Sequence, residues 1–143
     1  MPLISFGAIL TFAESIEEEN KAYFEKALES LPEGDVKSFF EQAVKGKAKQ
    51  IETIQRVRRE NVAEMILEPI KDFTRQAFLI EADELPVGDP GEIVKTAAKI
   101  EDRNLRYYTE AAKKIKALPE VATALKQLAK KQKKLLQNLE GLS

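Results

Sequence analysis

The strongest constraint on this chain is a stretch that occurs twice, each time setting a glutamate on the apolar face of a helix. Ala13 to Ala27 reads AESIEEENKAYFEKA and Ala97 to Ala111 reads AAKIEDRNLRYYTEA, at an offset of 84 residues. At that offset Ala13, Ile16, Glu17, Asn20, Tyr23 and Ala27 fall on Ala97, Ile100, Glu101, Asn104, Tyr107 and Ala111. Steps of three and four residues collect Leu10, Ala13, Glu17, Asn20, Phe24 and Ala27 on one helical face, and Val94, Ala97, Glu101, Asn104, Tyr108 and Ala111 on the other. An ionised carboxylate in the middle of such a face is costly unless a partner compensates it. Any fold of this chain must therefore bring something to Glu17 and Glu101.

A second pair of helices repeats in the same way. Val36, Phe40, Ala43, Lys47, Gln50 and Ile54 match Val121, Leu125, Leu128, Gln132, Leu135 and Leu139 at an offset of 85. The chain is thus two helical hairpins of one design. Helices are expected near residues 5–30, 35–62, 90–117 and 119–141. Ser5 is a candidate N-cap for the first, and the second could extend to Ile66. Leu31-Pro32-Glu33-Gly34 and Leu118-Pro119-Glu120 break the chain between partners. Asp89 as N-cap, Pro90 at the first helical position and Glu92 as the capping-box residue open the third helix. Short loops make each hairpin antiparallel. The connection from about Asn61 to Asp89 lacks a clean period but is rich in apolar residues, including Met65, Ile66, Leu67, Ile70, Phe73, Phe78, Leu79 and Ile80. Its length fits a crossover returning along the bundle, so helices 2 and 3 should run parallel. An up-down-down-up bundle forming a single domain over 1–143 is the expectation.

Composition removes several chemistries. The chain has no cysteine and no histidine, so thiolate sites and imidazole ligands are excluded and any metal must bind through oxygen. A formal net charge of −1 gives no global attraction to nucleic acid or to anionic membrane. The basic run Arg56, Arg58, Arg59 and the group Lys130, Lys131, Lys133, Lys134 would carry nucleic-acid binding if there were any, but solvated helix surface is the simpler reading. The same holds for the acidic residues Glu14, Glu18, Glu19 and Glu25, interleaved with Lys21 and Lys26, as a surface cation site. PLISFGAILTFA is too short to span a membrane, and a cytoplasmic location is expected. Abundant Lys and Glu lean towards a heat-adapted protein.

Two such hairpins, a long crossover and an inward glutamate on helices 1 and 3 resemble the ferritin-like superfamily, and most closely its rubrerythrin-type members. The phrases Ile16-Glu17…Tyr23-Phe24, Ile100-Glu101…Tyr107-Tyr108 and Gln50-Ile51-Glu52-Thr53-Ile54 carry the resemblance. It implies a di-iron or di-manganese centre held by one Glu from each of two helices and a Glu-x-x-His from each of the other two. Glu17 and Glu101 match the single glutamates. Lys47 and Gln50 stand at the helix 2 ligand positions, and Gln132 and Leu135 at those of helix 4, so four of the six positions are replaced. A register slipped by one residue would offer Gly46 and Lys49 instead, which ligate nothing either.

The family resemblance implies an oxidoreductase; the residues point to a bundle with a degenerate metal site and no expected cofactor, in a structural, partner-binding or ligand-binding role. The alternative is an iron or manganese ion held weakly by Glu17 and Glu101, with residual iron or peroxide chemistry. Asn20, Asn104 and Tyr108 are candidates to support the glutamates, while Tyr23 and Tyr107 read as packing aromatics with an edge hydroxyl. Lys47 is expected to act as an internal counter-ion to one or both glutamates, with Gln50 and Gln132 donating amide hydrogen bonds to the remaining carboxylate oxygens and Leu135 closing the cavity; the alternative is that Lys47 snorkels to solvent along its aliphatic stem. A homodimer is expected from the apolar load of Phe73, Phe78, Leu79 and Ile80.

Overall fold

The computed structural model describes residues 6–60, 73–81, 85–115 and 119–142, and over them the chain forms an all-α four-helix bundle. The helices are α1 (Phe6–Leu28), α2 (Asp35–Glu60), α3 (Pro90–Lys114) and α4 (Pro119–Glu140), with a short 3-10 turn at Arg75–Phe78 in the crossover. The Ser5 cap, the extension of helix 2 towards 62 or 66, Met65 to Ile70 and Leu118 lie outside the described residues. Helices 1 and 3 end two or three residues earlier than the apolar period suggests. Gly34 sits at φ 146° in the α1–α2 turn, a conformation that L side chains rarely adopt, and its carbonyl accepts from the Ser38 amide at 3.1 Å. At the start of α3 the Asp89 carboxylate accepts from the Glu92 amide at 2.8 Å, with Pro90 in the first turn.

Helix direction follows from who packs with whom at each end of the bundle. One apolar cluster joins Ile9, Leu10 and Phe12 near the start of α1 to Ile54 and Val57 near the end of α2, Tyr107, Ala111 and Ile115 at the end of α3, and Val121 and Leu125 at the start of α4. The other joins Phe24 and Ala27 to Phe40, Ile93, Val94 and Leu139. Taking α1 as up, α2 and α3 run down and α4 runs up. The topology is therefore up-down-down-up, with α2 and α3 parallel, as the long crossover requires. The α1–α2 and α3–α4 hairpins pack through α1 against α3 and α2 against α4.

The two apolar lines of α1 and α3 are buried at every one of their positions, glutamates included. Along α2, Phe40, Ala43, Lys47, Gln50, Ile54 and Val57 are buried in the same line. Each fully buried large apolar side chain contributes about 1.5–3 kcal/mol, which lets the two end clusters carry the polar layer between them. The crossover adds to the lower cluster: Phe73 stacks on Tyr107 at 5.5 Å, and Phe78 meets the same ring edge-on at 5.1 Å. Phe73 and Phe78 thus bury within one chain, and Ile80 packs partly against the upper cluster. Leu79, 57% exposed, is the large apolar side chain left on the surface among the described residues, so the motive for a dimer is reduced. No helix among the described residues is long and apolar enough to cross a membrane.

Candidate functional site

Between the two apolar clusters lies a layer of charged and polar side chains closed off from solvent. Glu17 and Glu101 are fully buried, and Lys47 is 1% exposed. The Lys47 ammonium lies 3.1 Å from Glu17 Oε2 as an ion pair, and it donates at 3.4 Å to Glu17 Oε1, at 3.0 Å to Glu101 Oε2 and at 2.9 Å to Gln132 Oε1. An ammonium has three N–H groups and no acceptor. Two carboxylates and one amide carbonyl use all three.

The repeat explains why these four residues meet. Glu17 and Glu101 are equivalents in the first repeat, and Lys47 and Gln132 are equivalents in the second. Residues meet their own equivalents only near the two-fold axis that relates the hairpins, and the axis passes through this cluster. A lysine at both 47 and 132 would set two ammonium groups against each other; the neutral Gln132 avoids that and accepts from the single cation. Gln132 therefore serves the lysine and not, as the sequence suggests, a carboxylate. Its Nε2 turns to the Glu101 main-chain carbonyl at 3.5 Å.

The two glutamates are not supported equally. Glu17 Oε1 accepts from Tyr108 Oη at 2.7 Å and from Asn104 Nδ2 at 3.0 Å. The orientation of the Asn104 amide is fixed by Arg103, whose Nε donates to Asn104 Oδ1 at 2.6 Å and thereby turns Nδ2 towards Glu17. Each glutamate keeps one buried oxygen without a hydrogen-bond partner, Glu17 Oε2 and Glu101 Oε1, but Glu101 has no tyrosine and asparagine donors like those on Glu17 Oε1. The repeat shows why: Phe24 stands where Tyr108 stands in the other half and has no hydroxyl to offer. Asn20, the equivalent of Asn104, lies beside Glu101 and helps hold that carboxyl down, yet neither its Oδ1 nor its Nδ2 closes a bond of ordinary geometry. Burial is the largest influence on Glu101, followed by the lowering effect of Lys47 and the raising effect of Glu17; together they push it up to about 7. A proton on Glu101 Oε1 turns that atom into a donor facing the Asn20 amide, whose Oδ1 is in need of one. The Tyr108 hydroxyl is held well above its usual range, by burial first and by the Glu17 charge second, so it stays a donor.

This asymmetry is open to a direct check. Phe24→Tyr is expected to place a hydroxyl against Glu101 as Tyr108 does against Glu17, and to lower the Glu101 pKa from about 7 towards the ordinary carboxylate range. Carbon-detected NMR titration of labelled glutamate side chains reads it, and an unchanged Glu101 titration would show that the hydroxyl does not reach the carboxyl.

Two more of the sequence-predicted residues are placed differently. Gln50 is buried, but no bond joins it to either carboxylate, and its Oε1 has no hydrogen-bond partner. One helical turn beyond Lys47, it lines a cleft between α2 and α4. Leu135 does not seal the cluster. It is half-buried and lines a cleft between α2 and α4, because α4 turns Gln132 and Leu139 fully inward and leaves position 135 at the edge of the buried stripe.

Sequence reasoning missed Arg103, a buried guanidinium that ties three elements together. Besides Asn104, it donates to the Phe78 carbonyl at 3.1 Å and to Glu19 at 2.9 Å, anchoring the crossover to α1 and α3. The signal was present in the repeat: Glu19 and Arg103 are equivalents of opposite charge, and near the axis such equivalents meet. Tyr23 and Tyr107 act as anchors, donating to the Pro86 and Ile9 carbonyls at 2.7 Å each. On the surface, Glu14 pairs with Arg58 at 3.2 Å and Gln55 at 2.9 Å, and Arg56 approaches Glu60 at 4.0 Å. Two of the three arginines proposed for nucleic acid thus engage carboxylates of the chain itself.

A di-metal centre does not fit these residues. Among the described residues no group of three or more Asp, Glu, His or Cys side chains could hold an ion. The position where a cation would bridge Glu17 and Glu101 is filled by the Lys47 ammonium, which would repel a divalent ion. No family model, curated protein or solved structure matches this chain.

Proposed function

We propose that this protein is a ferritin-like bundle of the rubrerythrin type in which an internal ion-pair cluster stands in for the di-metal centre, and that it works as a non-catalytic ligand- or partner-binding scaffold. The observation that carries the reading is the Lys47 ammonium 3.0–3.1 Å from both glutamates, at the place where a bridging metal would sit. A side-chain cation in that place balances buried carboxylate charge without redox chemistry, open coordination positions or exchange with solvent. With neither cysteine nor histidine in the chain, electron transfer through iron–sulfur or imidazole-ligated iron has no ligands to use.

Metal analysis tests this directly. Protein purified without chelator and then exposed to ferrous iron or manganese is expected to retain well under one metal ion per chain after desalting. Retention of one or two equivalents of either ion, lost on Glu17→Gln, would overturn the reading in favour of a weak carboxylate-ligated oxidoreductase.

A further inference from the structure

We propose that the crossover is a strap coupled to the buried ion cluster through Arg103: lifting the strap at Phe78 releases the Asn104 amide from Glu17, and disturbing the cluster loosens the strap. The inference adds a conformational device to the scaffold. It rests on the geometry of α3 and the crossover and does not depend on what the cluster replaced.

Two routes lead from the crossover to one atom, Glu17 Oε1. The first is a chain of hydrogen bonds. Arg103 donates to the Phe78 carbonyl at 3.1 Å and through Nε to Asn104 Oδ1 at 2.6 Å, and Asn104 Nδ2 donates to Glu17 Oε1 at 3.0 Å. The second is a run of rings. Phe78 meets Tyr107 edge-on, Tyr107 lies edge-on to Tyr108 at 6.0 Å, and the Tyr108 hydroxyl donates to the same Oε1 at 2.7 Å. Lys47 pairs with that carboxyl, so a shift of Glu17 reaches the centre of the cluster. The repeat supplies an internal control. Glu19-Asn20 stands where Arg103-Asn104 stands in the other half. An ionised carboxylate cannot donate to an amide carbonyl, and the buried Asn20 side chain has neither polar atom bonded. At the amide itself, the arginine is what separates the two cases. Arg103 holds Asn104 only while its guanidinium stays dry. The side chain is 3% exposed, closed in by Glu19 of α1 and by the Phe78 carbonyl. With the crossover lifted, water competes for those N–H groups and Asn104 loses the bond that orients it. The crossover is suited to lifting. Its Ala77 and Phe78 carbonyls accept from Arg106 and Arg103 on α3, and its Phe73 and Phe78 rings rest on Tyr107, without the continuous main-chain ladder of a long helix. Coupling of this kind runs equally in both directions.

NMR of the full chain reads both directions. The side-chain amide signals of Asn104 and Asn20 report the cluster, and hydrogen exchange at the main-chain amides of Gln76 to Leu79 reports the strap. Phe78→Leu trims the strap without touching Arg103 or the cluster. It should shift the Asn104 side-chain amide and speed its exchange with water by about tenfold, while Asn20, already unbonded, stays nearly unchanged. Glu17→Gln keeps the shape of the layer and changes its charge. It should speed exchange at Gln76 to Leu79 by about tenfold relative to a buried α4 amide such as that of Leu128. In Arg103→Met, where the stem stays and the guanidinium goes, both effects should largely disappear. A Phe78→Leu protein with an unmoved Asn104 amide would overturn the proposal, whether or not Arg103→Met folds. So would a Glu17→Gln protein whose strap exchanges no faster than α4. Effects that persist in full in Arg103→Met would assign the coupling to the Tyr107–Tyr108 rings and overturn the role of Arg103.

Discussion

Lys47→Met is expected to destabilise the protein by about 3–5 kcal/mol, the usual loss when one member of a buried ion pair is removed and its partner is left behind. Here two partners are left. Methionine fills much the same volume as the lysine stem, so the loss reports charge and not a cavity. Glu17 would keep Tyr108 and Asn104, whereas Glu101 would lose the main influence that lowers its pKa and would hold a proton to higher pH. Adding Glu17→Gln and Glu101→Gln to Lys47→Met should recover most of the loss, because three neutral groups of similar shape carry little desolvation penalty. Urea unfolding of the single and triple variants gives both numbers. A near-neutral Lys47→Met, or a triple variant no more stable than the single, would mean that the ammonium does not compensate these carboxylates.

Stability should also fall as pH rises from about 4.5 to about 7, opposite to the usual behaviour of a salt-bridged carboxylate. The cause is Glu101, whose carboxyl is raised from 4.5 to about 7 by burial beside Glu17. Between those values the folded state holds a proton that the unfolded chain has released. The stability tied to that proton is fully present below about 4.5 and is gone above about 7. A shift of this size corresponds to roughly 3–4 kcal/mol at about 1.4 kcal/mol per pH unit. The chain has no histidine, so no imidazole titration overlays the window. In Glu101→Gln the pH slope should vanish, and at pH 8 the variant should be at least as stable as the parent, since a glutamine carbonyl still accepts from Lys47 and its amide can donate to Asn20. Denaturation midpoints at pH 5, 6, 7 and 8 provide the test. An unchanged slope in Glu101→Gln would assign the effect to another group.

The sequence by itself determined the bundle and the location of its polar layer. Periods of three and four residues name the buried face of each helix, and the offsets of 84 and 85 residues show that the two hairpins are copies. Copies related by a two-fold axis bring equivalent central residues together, so the meeting of Glu17, Glu101, Lys47 and Gln132 was legible before any coordinates. Glu19 and Arg103 obey the same rule and could have been read from it. What the repeat leaves open is how each polar group is satisfied, because that depends on distances and angles in the packed interior. Only the tertiary structure decided that Gln132 accepts from the lysine, that Gln50 lines a cleft between α2 and α4 with its oxygen unpartnered, and that Leu135 borders the same cleft. It also decided that Phe73 and Phe78 close on Tyr107 within one chain, a contact no local pattern encodes. The unequal support of the two glutamates lies between these cases. Phe24 opposite Tyr108 is a one-hydroxyl difference plain in the sequence. Its consequence, a carboxyl raised to about 7, exists only because packing excludes water from the layer and leaves Glu101 Oε1 with no other partner.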